Sequence, residues 1–130
     1  MELPTTFVSE LLTSQQTRDA MEALQRVLCQ LVGEVPLVAR YGWGCALHPD
    51  LRGAPMRVGT AGVEQFIHDS LGQQIFVPGE SDVHFELPDG RLEVVFCHEG
   101  HVHVGGSERQ LAERFVSATP FAKLFVSKGA

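Results

Sequence analysis

Residues 81–106 read SDVHFELPDGRLEVVFCHEGHVHVGG, and this stretch decides the fold. From Asp82 to Leu87 the apolar residues fall on alternate positions. Strand side chains alternate between faces, so Val83, Phe85 and Leu87 share one side while Asp82, His84 and Glu86 share the other. Asp89-Gly90 is a strong hairpin signal, because a type I′ turn needs positive φ at both central residues. Such a turn sets Leu87 against Leu92, Phe85 against Val94 and Val83 against Phe96, and this all-apolar match supports the register. The opposite face then pairs Glu86 with Glu93, His84 with Val95 and Asp82 with Cys97.

The next turn decides where the histidines go. A two-residue turn at Glu99-Gly100 would put His98, His101 and His103 on the apolar face, which is costly unless each is hydrogen-bonded. A three-residue turn over His98-Glu99-Gly100, with Gly100 left-handed, sets Cys97 against His101, Phe96 against Val102 and Val95 against His103. That register keeps the apolar face clean and is the one expected. Asp82, His84, Cys97, His101 and His103 then gather on the polar face.

Outward from this hairpin, Thr13 and Gln16 have capping-box spacing. Ala20, Met21, Leu24, Val27, Leu28, Leu31 and Val32 form a stripe at helical period, closed by Gly33 and Pro36. A short helix is expected over Thr5–Leu12, one bent or two short strands over Leu37–Leu47, and a short strand over Met56–Gly59. Thr60 reads as the cap of a second helix ending at Gly72, and Ser107 as the cap of a third. Phe121–Val126 fits a short helix or an edge strand equally.

The 130 residues are 44% hydrophobic and 20% charged, an ordinary globular composition. The expectation is a single α+β domain over 1–130. It has a mostly antiparallel sheet of roughly four to six strands, with helices packed on one face. Three cysteines without paired spacing read as reduced thiols in a cytoplasmic protein. The N-terminus MELPTTFVSE has no basic, apolar leader pattern, so no signal peptide is expected. No apolar run approaches the roughly 20 residues of a bilayer span, so no membrane association is expected.

A net charge of −6 argues against nucleic acid as a partner. Between Glu64 and Glu99 eight carboxylates face a single arginine, so the sheet region is the acidic pole.

These residue types suit four chemistries. His84, Cys97, His101 and His103 are ligand types that zinc accepts, with Asp82 as a further donor, so zinc is the one cofactor the sequence allows for. Otherwise no cofactor is expected. A Cys97 nucleophile would need His101 as its base across the turn, since His98 points to the other face. Gly105-Gly106-Ser107 reads as turn-plus-cap rather than as an anion site. Tyr41 and Trp43, two apart, would share a strand face as an aromatic contact, though core packing is the commoner fate.

With no nucleotide loop or nucleophile motif, a binding module is expected ahead of an enzyme. The expected function is an acidic sheet face presented to a basic protein partner through Asp82, Glu86 and Glu93, with Tyr41 and Trp43 as further contacts. An inhibitor or immunity-type protein is one form of it. The alternatives are a metal-binding protein or small metal-dependent enzyme, and an oligomeric accessory domain that uses the Tyr41–Trp43 region.

Overall fold

The computed structural model describes residues 5–42, 49–51 and 53–127. In chain order they form β1 (Thr5–Ser9), α1 (Ser14–Val32), β2 (Pro36–Tyr41), β3 (Met56–Gly59), α2 (Val63–Gly72), β4 (Val83–Glu86), β5 (Glu93–Phe96), β6 (Val102–Gly105), α3 (Arg109–Ala118) and β7 (Phe125–Ser127). The strands make one seven-stranded sheet in the order β3-β2-β4-β5-β6-β1-β7, with every neighbouring pair antiparallel. The α+β class and the antiparallel sheet are as expected, but the strands outnumber the expectation.

The extra strands come from the chain ends. Residues 5–9 are a strand and not the expected helix, and β1 lies between β6 and β7. Phe7 packs against the core while Ser9, on the same side, is buried and donates its hydroxyl to the Glu10 carbonyl. The segment after Pro120 divides its two readings: Ala122–Leu124 is a 3-10 turn and Phe125–Ser127 is edge strand β7.

The central hairpin has the expected register, Val83↔Phe96, Phe85↔Val94 and Glu86↔Glu93. Asp89 (φ 61°) and Gly90 (φ 66°) both adopt the left-handed conformation that a type I′ turn requires. The second turn is the three-residue one: Val95 faces His103, Phe96 faces Val102, and the Gly100 N–H donates to the Cys97 carbonyl at 3.0 Å. Gly100 has a φ of 89°, a backbone that side-chain-bearing residues rarely adopt.

All three helices contribute to a core laid on the apolar sheet face. Met21, Leu24, Val27 and Leu28 of α1, Val63 and Ile67 of α2, and Leu111, Ala112, Phe115 and Val116 of α3 pack with Leu37, Ala39, Val83, Phe85, Val94, Phe96, Val102 and Val104 of the sheet. The Thr13–Gln16 capping box is formed, with bonds of 2.9 and 3.1 Å.

Two other caps differ from expectation. Thr60 opens a 3-10 turn ahead of α2, and its hydroxyl joins two loops, accepting from the Val35 N–H and donating to the Gly33 carbonyl. The residue capping α3 is Glu108, with no side-chain cap bond. The Ser107 and Glu108 N–H groups instead donate to the Gly90 and Arg91 carbonyls, tying the helix entry to the hairpin turn. Gly106 makes that docking possible, since a Cβ there would lie 2.5 Å from the Arg91 carbonyl oxygen. These amides are spent on the fold and form no anion site.

Leu28 is 2% exposed, between α1 and the sheet. Leu28→Ala is expected to cost about 2–5 kcal/mol in a urea unfolding titration, from lost transfer energy and a residual cavity. A cost below about 1 kcal/mol would place a different face of α1 against the sheet.

Candidate functional site

The sheet face turned away from the helices is ordered by register into rows. One row runs Arg57, Val38, Glu86, Glu93 and Gly105 across β3, β2, β4, β5 and β6. The next runs Arg40, His84, Val95, His103, Val8 and Val126 across β2, β4, β5, β6, β1 and β7. Beyond it come Asp82, Cys97 and His101, tied by the Gly42 N–H to the Asp82 carbonyl (3.0 Å) and the Cys97 N–H to the His101 carbonyl (2.9 Å). His84, His101 and His103 therefore share a face with Asp82, Glu86, Glu93 and Cys97, as the register predicted.

Sharing a face does not make the ligand set converge. The His101 ring spends Nδ1 on the Ser9 carbonyl of β1, 3.0 Å away. The His84 ring leans the other way, toward β2, with Nε2 at 3.1 Å from where a Gly42 Cβ would stand. The His101 and His103 rings meet edge to face at 6.3 Å between centroids. Among the described residues no three His, Cys, Asp or Glu side chains are grouped to hold one metal ion.

Asp82 has a partner that the sequence did not single out. Its Oδ1 accepts the backbone N–H of His98 (2.5 Å) and lies 2.8 Å from His98 Nδ1. The hydrogen bond to Asp82 raises the His98 pKa above its ordinary value of 6.5, against a smaller opposing effect of desolvation. Burial lowers that of His103, and the carboxylates of Asp82, Glu99 and Glu93 only partly oppose it.

Glu86 also has a partner. Arg40, diagonal to it on β2, reaches its Oε2 at 3.1 Å. Arg91, the nearest cation in sequence, pairs instead with Glu108 at 3.0 Å. The Glu86–Glu93 repulsion is thus partly offset by a cation more than forty residues upstream.

Tyr41 is not a surface residue. It is 3% exposed, stacks on Phe66 at 5.6 Å between ring centroids, and its hydroxyl is hydrogen-bonded to the Ser70 hydroxyl. Ser70 in turn donates to the Phe66 carbonyl, so Tyr41 is the donor to Ser70. The phase of β2 explains this: Leu37, Ala39 and Tyr41 face the helices while Val38 and Arg40 face outward. The aromatic contact expected of Tyr41 is therefore corrected to core packing. Trp43 lies outside the described residues.

A groove of about 390 Å³ runs between α1 and α2 past Glu22, Gln25, Glu64, Gln65 and His68. Its amides are engaged: Gln25 accepts the Glu64 N–H and Gln65 donates to Asp69, both at 2.8 Å. The sheet face remains the stronger candidate.

Set against known proteins, the chain matches no family model, no curated protein and no solved structure. Among the described residues no helix is long and apolar enough to cross a membrane.

NMR titration of the imidazoles is expected to put His98 above 6.5 and His103 below it. A raised folded-state value stabilises fully below the unfolded one, and the gain is lost as pH rises through the folded one. Asp82→Asn is expected to return His98 toward 6.5; an unmoved His98 would show that the bond to Asp82 is not what holds its proton.

Zinc added to the metal-free protein is expected to leave the thermal midpoint unchanged, since a site formed only in the folded state would raise it. One equivalent retained through dialysis would restore the four-ligand reading.

Proposed function

We propose that this chain is a protein-binding module whose open sheet face docks a basic partner. The observation that carries this is the Glu86–Glu93 pair, held in direct register on a face where none of the helices packs. Like charges directly opposite on adjacent strands are destabilising, by an amount of order 0.2–1 kcal/mol. Arg40 offsets one of the two carboxylates. A lysine or arginine brought by a partner would add a favourable charge contact to this like-charged pair. The surrounding acidic pole from Glu64 to Glu99 would steer such a partner before contact. A small inhibitor or immunity-type protein that blocks a basic target is the concrete form of this reading.

The test is the affinity for a basic protein retained by the immobilised chain at low salt. Raising ionic strength is expected to slow association, because steering between separated charges is screened. Glu93→Lys is expected to weaken binding about tenfold, roughly 1.4 kcal/mol. Glu34→Lys, exposed in the loop after α1, is expected to change it little. Affinities unmoved by both salt and Glu93→Lys would remove this face from the function.

A further inference from the structure

The sheet ends on one side at β3, and the phase of the ladder shows which of its backbone groups point outward. The Gly42 N–H donates to the Asp82 carbonyl, so Val38, Arg40 and Gly42 are the residues of this strand that exchange bonds toward β4. Leu37 and Ala39 therefore serve β3, at Val58 and Met56. The Thr60 N–H, on the Val35 carbonyl at 3.0 Å, continues the same phase. Arg57 and Gly59 alternate with these residues, so both of their N–H groups and the Arg57 carbonyl are turned away from the sheet. The Gly59 carbonyl is committed to the 3-10 turn that Gly59 caps. At the opposite edge, β7 has already spent the Phe125 N–H on the Ala122 carbonyl.

The side chains of β3 follow the same alternation. Met56 and Val58 are half-buried against the core, and Arg57 and Gly59 are exposed. Arg57 has no ion pair among the described residues, whereas Arg40 of β2 is taken by Glu86. A groove of about 360 Å³ runs beside this edge past Pro36, Arg57, Val58, Gly59 and Ala61.

We propose that the β3 edge receives an extended segment of an acidic partner, added antiparallel as a further strand, with Asp or Glu opposite Arg57 and apolar residues on either side of it. This site is separate from the acidic sheet face and does not rest on the reading of that face. The residue opposite Arg57 exchanges both backbone bonds with it, and the residue opposite Gly59 accepts the Gly59 N–H on its carbonyl. A carboxylate directly across from Arg57 forms a favourable cross-strand pair. The residues flanking it turn to the side of Met56 and Val58, where apolar side chains extend the margin of the core. A second copy of this chain fits poorly. Antiparallel pairing of β3 with itself either sets Arg57 against Arg57, like charge on like, or calls on the committed Gly59 carbonyl. Pro55, without an N–H, stands just ahead of the strand. Proline and charge at an edge discourage unselective pairing, which leaves Arg57 to choose the occupant.

The test is an amide NMR titration of the isotope-labelled protein with three capped peptides. The first is Thr-Thr-Val-Glu-Val-Thr-Thr, the second has lysine in place of glutamate, and the third is the first methylated on the glutamate nitrogen. The glutamate peptide is expected to shift the Arg57 and Gly59 amides saturably. The lysine peptide is expected to bind this edge about tenfold more weakly. The methylated one is also expected to lose about tenfold, because it lacks the donor to the Arg57 carbonyl. Arg57→Glu is expected to reverse the preference, and binding of the lysine peptide by that variant would show that its edge is intact. Unmoved Arg57 and Gly59 amides at millimolar peptide, equal binding of the glutamate and lysine peptides, or methylation without effect overturns the proposal. Shifts by the lysine peptide confined to the Glu93 and His103 amides would also overturn it, while supporting the acidic face.

Discussion

Two consecutive left-handed residues, Asp89 and Gly90, set the parity on which the sheet depends. A two-residue turn with positive φ at both positions closes a hairpin in one register only, and a slip by one residue would turn every side chain of β4 to the wrong face. With that register held, Val83, Phe85 and Leu87 meet the helices, and His84 and Glu86 are turned out. The turn is itself anchored from a distance. Ser107 and Glu108 donate to its carbonyls across a contact so close that only glycine fits at position 106. The start of α3 and the central hairpin therefore position each other.

The same parity that buries the core makes the open face. Polar side chains on strands that face away from the helices have nowhere else to go, so charges and histidines distant in sequence become neighbours. Within the molecule Glu86 is met by Arg40 and Asp82 by His98. Both pairs are at least partly exposed and so contribute little to stability, but they shape the electrostatic potential of this face. The charge pattern is graded across the strands: cationic at β2 and β3, anionic at β4 and β5, and apolar at β1 and β7. Under the proposed function, a face graded in this way would give a docked partner a preferred orientation, which a uniformly acidic one would lack.

Much of the fold was legible because it is local. The β4–β5–β6 meander follows from alternation and two turns, and α1 from its stripe, its capping box and Gly33. The failures share a cause. Residues 5–9 become a strand because β6 and β7 offer backbone partners on both sides, and that is decided a hundred residues away. Thr60 and Ser107 look like caps, yet their groups go to the Val35, Gly33 and Gly90 backbone, which is near them only in space. Tyr41 had two readings, a binding contact or core packing, until the pairing of β2 with β3 and β4 gave it a phase.

The candidate site divides in the same way. That His84, His101 and His103 share a face with Asp82, Glu86, Glu93 and Cys97 was expected from the sequence, because of the two turn lengths open at His98-Glu99-Gly100 only the three-residue one keeps histidine off the apolar face, and the structure has that turn. Whether they converge was not, because ring direction depends on what each ring touches. His101 turns to the Ser9 carbonyl and His84 toward Gly42, both on strands outside the hairpin. The partners of the carboxylates were likewise settled only in three dimensions. Arg40 reaches Glu86 because β2 pairs with β4 across more than forty residues of chain, and His98 reaches Asp82 because the three-residue turn brings its backbone N–H and ring back over β4. Alternation along one strand says which side a group is on; only the packing of strands distant in sequence says what it meets there.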